Sequence, residues 1–569
     1  MQISISHRRF RATILIFLLL FVLCFSRLFY IQFFKSRYLS DIANQQHNLY
    51  VELEPLRGAV YDRNLKPLAL NLPCDSLYAC ARQIKNKEKV IRVLMDVLGL
   101  DYGYLKGRLY RDKAFVWIAR KLSPEQVDKI KKLRIEGLGF VRESKRGYPN
   151  QNLASHEIGF VGLDNAGLEG LELFYDSHLK GSSGWAVVLR DARQNKLLWE
   201  KVILPKDGSE LVLTIDEFIQ FVAERELDRA YRIFRARGAS LIVIDPQTGE
   251  ILAMANRPTY DPNHPQLASA DSRRNRALCD MFEPGSVFKI VTASAALEEG
   301  RFKESDRFFC ENGSYRVANH ILHDHQPHGW LTFSQVIADS SNIGTTKIAQ
   351  ALGADIVYEY ADKFGFGRTL GIDMHGEIPG VLKEPRAWSR TSIGAVPIGQ
   401  EVGVTALQLA GAISAIANNG ILMRPFIVKS IQDASGEIIK DFKPQEMGRV
   451  ISASTAKRMK DILVLATEEG TGKLARVSDF KVAGKTGTAQ KVEPSGAYSH
   501  SKYIASFIGF APAEDPLIAV VVTVDEPHPY YFGGVVAAPV FKRISQDVVK
   551  YLRLQKDNYA IGEIAKKVR

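Results

Sequence analysis

Apolar and polar positions separate first into one long block and then into short alternating patterns. Residues 12–26, ATILIFLLLFVLCFS, carry no charge, and RLFYIQFF extends the apolar run to residue 34. A spanning helix needs ~20 residues of this character. Residues 12–34 therefore read as a transmembrane segment, with Arg27 able to reach the far interface. From 35 to 215, short strands mix with helical stretches such as EKVIRVLMDVLGL and SPEQVDKIKKL, interrupted by the glycine-rich GFVGLDNAGLEGLELF. The texture changes at Asp216. DEFIQFVAERELDRAYRIFRARG predicts a helix, and ASLIVID and EILAMAN, joined by PQTG, predict a β-hairpin. Helical patterns fill the middle of the chain. DFKVAGKTGTAQKV, KYIASFIGFAP and LIAVVVTVDEP then predict three strands, followed by the helix APVFKRISQDVVKYLRL. Strands at both ends with helices between them predict an α+β layout, an antiparallel sheet flanked by helices. The expected organisation is a tail over 1–11, an anchor over 12–34, an N-terminal domain over 35–215, a second domain over 216–553 and a basic tail over 554–569, with no further module after the closing helix.

Composition narrows the class. The 569 residues contain 46% apolar and 24% charged letters, as packed globular chains do, which excludes disorder, collagen and coiled coil. Mean hydropathy close to neutral excludes a polytopic membrane protein while leaving room for one anchor. The net charge of +12 comes without a compact Lys/Arg block, so it fits an anionic membrane or wall polymer and does not single out nucleic acid. Five cysteines are too few for a disulfide scaffold. Cys74 and Cys80 lie in the strand-like CDSLYAC, which would hold them ~20 Å apart, beyond disulfide reach. A cleavage site would need small residues, and neither FVLCFSRLF nor Leu23 before Cys24 supplies them, so the anchor is read as uncleaved. Arg8, Arg9 and Arg11 precede it and Arg27, Lys35 and Arg37 follow, so charge alone does not orient it.

Three short motifs carry chemistry. Ser286-Val-Phe-Lys289 follows Glu283-Pro284-Gly285 and opens the helical IVTASAALEEG, which places Ser286 in the first turn. Residues three apart share a helix face, so Lys289 lies one turn above the hydroxyl. A serine needs a base beside it to attack, and a lysine serves once burial or nearby cations lower its pKa. The helix start also directs free N–H groups toward a developing oxyanion. Taken alone this spacing is uninformative, because it recurs at Ser177, Ser454, Ser478 and Ser499. Two further pieces give it weight: Ser340-Ser341-Asn342 after a helical stretch, and Lys485-Thr486-Gly487-Thr488 in a strand-like segment. Separately these read as a helix cap and a turn. Together, a hydroxyl, a carboxamide, a cation and two threonines suit a substrate with an amide and a terminal carboxylate. Gly484 and Gly487 would let another chain approach closely.

S-x-x-K, S-x-N and K-T-G in this order resemble the penicillin-recognising serine enzymes, the penicillin-binding proteins and serine β-lactamases. The likeness runs along nearly the whole chain and is to class B penicillin-binding proteins. Arg57-Gly58-Ala-Val-Tyr-Asp62-Arg63-Asn64 resembles that class's N-terminal signature, and Gly167-Leu-Glu169-Gly170-Leu-Glu172 its junction motif. Asp245-Pro-Gln-Thr-Gly249-Glu250, Gly399-Gln400, Thr405 and Gly533-Gly534 also match. One departure is Leu65, where the family usually has glycine after Asn64. The resemblance implies a penicillin-binding transpeptidase domain behind an N-terminal pedestal and a single transmembrane helix. It implies that Ser286 is acylated by a D-Ala-D-Ala stem peptide or a β-lactam, with Lys289 as base. Ser340 would pass the proton to the leaving amine, and Asn342 would hold the peptide amide. Lys485, Thr486 and Thr488, with Gly487 between them, would bind the carboxylate, and the N–H groups of Ser286 and Thr488 would form the oxyanion hole. No metal or organic cofactor is implied.

The same resemblance places the catalytic domain on the periplasmic side of the cytoplasmic membrane and residues 1–11 inside. It points to the septal, cell-division branch, with a SEDS-type glycosyltransferase and division-complex proteins as partners; the elongation branch is the rival. Some elongation-type relatives bind zinc near the segment holding Cys310, His320, His323, His325 and His328, but this spacing matches no standard finger, so no metal is expected. A carboxypeptidase or β-lactamase would need a base for water, and no E-x-x-L-N lies between Asn342 and Lys485. A non-catalytic scaffold is disfavoured by intact Ser286, Lys289, Asn342 and Lys485.

Overall fold

The computed structural model describes residues 7–568 apart from 112, 114 and 191–195. The chain forms two compact units, Met1–Leu56 with Gly181–Gly208, and Arg57–Lys180 with Ser209–Arg569. The N-terminal domain expected over 35–215 has residues in both units. Its first residues and the segment 181–208 make one unit, and the remainder joins the second.

In the first unit a single helix covers His7–Phe33, and Arg9–Phe33 is long and apolar enough to cross a membrane. At 1.5 Å per residue those 25 residues extend about 37 Å, more than the ~30 Å hydrocarbon layer. Leu15, Phe17, Leu19, Phe21 and Leu23 are all more than half exposed, which fits a membrane anchor. The strands Asn48–Leu53, Gly184–Arg190 and Lys196–Ile203 form an antiparallel sheet with Gly184–Arg190 at its centre.

The second unit is built on two sheets. Five strands, β1 (Gly238–Ile244), β2 (Ile251–Arg257), β3 (Ala483–Val492), β4 (Tyr498–Ala511) and β5 (Ile518–Asp525), run antiparallel in the order β2-β1-β5-β4-β3. β5 shows why helices cover both faces. Ile518, Val520, Val522 and Val524 point into a core shared with the helices Glu217–Ile233 and Ala538–Val568. Ala519 and Val521 point into a larger core on the opposite face. A strand buried on both faces reads as an unbroken apolar run. The closing helix continues past residue 553 to Val568, so the expected basic tail begins within it.

A second, mixed sheet joins Glu210–Leu213 to Val60–Tyr61 in parallel and to Val428–Gln432 antiparallel, so it crosses the boundary expected at 215. The Arg57 and Glu172 motifs meet beside it. Buried Glu172 accepts from Arg57 Nε at 2.6 Å and from Arg146 Nε at 2.7 Å. Gly58 is required there, since a Cβ would stand 1.8 Å from Ser209 O. Leu65 adopts φ +62°, the left-handed conformation in which glycine carries no strain. All five cysteines are free.

Candidate active site

The nucleophile turn is wedged between two glycine contacts. Gly285 adopts φ +56° and donates its N–H to Gly399 O at 3.1 Å; a Cβ on Gly399 would fall 2.2 Å from Gly285 O. On the other side, a Cβ on Gly487 would meet Val287 Cγ1 at 2.9 Å and Pro284 O at 3.0 Å. The chain that approaches Gly487 is therefore the serine turn itself, while Gly484 makes room for the Phe507 ring. Ser286 is half-buried in a 3-10 turn, Gly285–Phe288, and the α-helix α1 (Lys289–Glu298) starts one residue after it. The expected first turn is thus tighter than an α-helical one, and Lys289 still follows as the first residue of α1.

Lys289 is fully buried. Its Nζ donates to Ser340 O at 2.6 Å, to Asn342 Oδ1 at 2.8 Å and approaches Ser340 Oγ at 3.2 Å. Burial, followed by the charge of nearby Lys485, lowers its pKa well below the usual lysine value, while Asp324 opposes the shift. A neutral amine has two N–H groups and one lone pair. The two shorter contacts take the N–H groups, which leaves the lone pair for a hydroxyl proton.

Ser340 sits at φ +63°, a strained conformation for a side-chain-bearing residue. Ser341 caps the helix α2 (Asn342–Leu352), accepting from the Gly344 N–H at 2.9 Å. Ser341 is thus the cap, and its neighbours Ser340 and Asn342 both contact Lys289. Asn342 Nδ2 donates to His323 O at 2.9 Å.

Lys485 is also fully buried, on β3, where it pairs with Ile508 of β4. Burial brings its pKa down to about 7 against a smaller opposing pull from Asp339, and its Nζ reaches Thr486 O at 3.2 Å. Thr488 Oγ1 accepts from the Gly533 N–H at 3.1 Å. The backbone there is crowded, since a Cβ on Gly533 would lie 2.2 Å from Gly487 O.

Three residues given no role from the sequence, Asp324, Glu283 and Thr471, hold the site together. Asp324 accepts from Ser341 Oγ at 2.7 Å and from the Ile343 N–H at 3.0 Å, tying the 320–329 loop to the start of α2. Glu283 accepts from the Glu401 N–H at 2.8 Å and from Tyr498 OH at 3.2 Å, fixing the chain before Ser286. Thr471 bonds Thr486 Oγ1 through its own hydroxyl at 2.7 Å and donates its N–H to Ala338 O at 3.2 Å. It thus links β3 to the segment leading into Ser340. Glu283 is visible as the first letter of its motif, whereas Asp324 and Thr471 lie in loops without a distinguishing pattern. Thr471→Val should slow acylation by a β-lactam about tenfold, and Thr471→Ser should restore most of the rate; equal rates in all three proteins would remove Thr471 from the site.

The histidine segment does not converge. His320 and His323 end one strand, and an odd separation of three sends them to opposite faces. The His325 ring packs on Phe532 at 4.8 Å, and buried Cys310 lies next to Ser341. Among the described residues, no group of three His, Cys, Asp or Glu side chains is placed to hold a metal ion.

Comparison with known proteins identifies the arrangement. Residues 239–546 match the penicillin binding protein transpeptidase domain, and residues 52–213 match the penicillin-binding protein dimerisation domain. The probable peptidoglycan D,D-transpeptidase PenA of Neisseria meningitidis is 35% identical over 547 residues, spanning 95% of this chain and 92% of the relative. The chain belongs to the class B penicillin-binding proteins. Stage V sporulation protein D of Bacillus subtilis is 35% identical, with 95% of this chain and 85% of the relative aligned. The peptidoglycan D,D-transpeptidase FtsI of Escherichia coli is 31% identical over 89% of this chain and 85% of the relative. Among solved structures, penicillin-binding protein 3 of Mycobacterium tuberculosis in complex with aztreonam superposes with a TM-score of 0.70 at 29% identity, covering 88% of this chain and 97% of that one. This class B penicillin-binding protein accordingly has the family's transpeptidase fold and N-terminal dimerisation domain.

Proposed function

We propose that the chain is a septal peptidoglycan D,D-transpeptidase working through an acyl-enzyme on Ser286. The observation that carries the reading is the buried Lys289, whose amine is bonded to both Ser340 and Asn342 and whose pKa is lowered. Neutral Lys289 takes the Ser286 proton as Oγ attacks the carbonyl between the two D-alanines of a stem peptide. The N–H groups of Ser286 and Thr488 receive the negative charge that develops on the carbonyl oxygen. Collapse breaks the C–N bond, and the proton held by Lys289 passes through Ser340 to the departing D-Ala amine. An amine on a neighbouring stem then attacks the ester, displaces Ser286 and closes the cross-link. Lys485, Thr486 and Thr488 hold the terminal carboxylate. Asn342 Nδ2 holds the peptide carbonyl, displacing His323 O to do so.

Stem peptides lie outside the cytoplasmic membrane, so residues 1–11 face the cytoplasm and the second unit faces the periplasm, with residues 12–33 of the helix His7–Phe33 between them. The likeness to PenA, FtsI and stage V sporulation protein D supports a D,D-transpeptidase of either branch, and the septal assignment follows from the sequence resemblance. Depletion from its native host tests the reading. Cells should form filaments and lose cross-linked dimers from new septal wall, and Ser286→Ala should not restore either. Rounded cells would assign the chain to elongation, and unchanged cross-linking would remove the transpeptidase reading.

A further inference from the structure

The net charge is not spread evenly over the fold. Residues 82–136 hold 15 Lys and Arg against seven Asp and Glu, so this short segment carries +8 of the chain's +12. It belongs to a lobe with a small core of its own, where Leu77, Ile91, Leu94, Leu105, Ile118 and Ile130 are buried together. Some of the lobe's cations are neutralised in place: Lys131 meets Asp75 at 3.0 Å, and Arg120 meets Glu143 at 2.7 Å. Those around the helix Tyr102–Leu109 are not. Among the described residues, no carboxylate pairs with Lys87, Lys106, Arg108, Arg111 or Lys113.

Three of these cations lie over tyrosine rings instead, Lys87 over Tyr110 at 5.1 Å, Lys106 over Tyr102 at 5.5 Å and Arg108 over Tyr104 at 5.2 Å. The neighbouring acid, Glu88, is occupied by the hydroxyls of Tyr102 and Tyr110, which it accepts at 3.2 and 3.0 Å. The three rings are between 38% and 52% exposed. At 3.6 residues per turn, Leu105 and Leu109 face the lobe's core, and Gly103 and Gly107 face outward. A Cβ on Gly107 would meet nothing within 4 Å. The outer side of the helix is therefore a flat backbone ridge, with one cation–tyrosine pair on each flank.

We infer that the helix Tyr102–Leu109, with Arg111 and Lys113 beyond it, docks flat on an anionic lipid surface. Charge complementarity names the sign of the partner, and the flat ridge suits a planar one. Lysine is depleted from protein–protein interfaces, whose cores need an anchoring side chain, whereas tyrosine beside Lys and Arg is the combination found at a membrane–water boundary. The anchor helix tethers the lobe to a bilayer, so a weak attraction per cation is enough. The lobe shares its unit with Ser286, so docking sets how the cleft stands above the membrane. The inference rests on the anchor and is independent of the chemistry at Ser286.

The test uses the full-length protein in vesicles of phosphatidylcholine alone or mixed equally with phosphatidylglycerol, probed by reductive methylation with neutral reagents and peptide mass mapping. Relative to exposed Lys383, methylation of Lys87, Lys106 and Lys113 should fall about tenfold in the anionic vesicles. It should recover at ~1 M salt, where the screening length is about 3 Å. In the triple variant Lys106→Glu, Arg111→Glu, Lys113→Glu, all exposed positions, Lys87 should react equally in both vesicles and the penicillin adduct should be unchanged. Equal methylation of the wild-type lysines in both vesicles overturns the inference. Protection that is as strong in neutral vesicles, or that the triple variant retains, overturns the lipid assignment and makes a second copy of the chain the occupant. Should the variant fail to take up penicillin, the salt reversal in the wild-type protein still decides.

Discussion

Penicillin treatment of the full-length protein should add one ligand mass to the peptide carrying Ser286, and Ser286→Ala should abolish the adduct. A β-lactam presents a strained amide and a carboxylate in the arrangement of D-Ala-D-Ala, so it enters the same cleft and opens on the same hydroxyl. The four other serines with a lysine three residues on lack the surroundings. Ser454 lies in the helix Ala453–Glu468, and its hydroxyl pairs with Ser452. Ser478 bonds its neighbour Asp479, and Ser177 bonds His178. Ser499 Oγ accepts N–H groups from Ser501 and Lys502 in its own turn. An adduct on any of them would refute the assignment. The acyl-enzyme should also persist, because rapid hydrolysis needs a base to activate water. Glu283, three residues before Ser286, is held in a structural role by the Glu401 N–H and Tyr498 OH, which both donate to its Oε1. Release within seconds would leave Ser286 as nucleophile and make the protein a hydrolase.

Lys289→Ala should slow acylation by ~10²-fold or more, the usual scale for losing a positioned base. A thermal melt should accompany the measurement, since the substitution also leaves Ser340 O and Asn342 Oδ1 without their donor. The pH profile of wild-type acylation separates the two lysines. Lys289 acts in its neutral form, so the rate falls as pH drops through its pKa, which burial and Lys485 hold far below the normal value. Lys485 must be charged to attract a carboxylate, so capture weakens as pH rises through about 7. The profile should be bell-shaped, and Lys485→Arg should flatten its alkaline side, because a guanidinium does not deprotonate there. A wild-type rate still rising steadily to pH 10 would contradict these roles.

Much of this site is legible in the letters because its parts are local. The proline and glycine before Ser286 specify a turn, the three-residue spacing brings Lys289 after it, and the alternation around Lys485 marks a strand. The strands and helices of the second unit are legible for the same reason, since periodicity records which face of an element is buried. Leu65 is instructive in the other direction. Its departure from the family pattern is visible in the sequence, and the structure places it at φ +62°, where the missing glycine would have been unstrained.

Other features depend on contacts between residues far apart in the chain, and no local pattern encodes those. The N-terminal domain reads as one stretch from 35 to 215, yet 181–208 joins the first unit and Glu210–Leu213 pairs with a strand beyond residue 427. Thr471 and Asp324 hold the site through partners supplied by chain packing, and neither loop advertises this. Sequence alone determined the anchor, the α+β class, the three motifs and their order, because these follow from composition, periodicity and spacing over a few residues. Tertiary structure decided that Lys289 and Lys485 lose water together and that Lys289's donors go to Ser340 and Asn342. Burial and like-charge proximity set a lysine's pKa, and both are properties of the assembled fold.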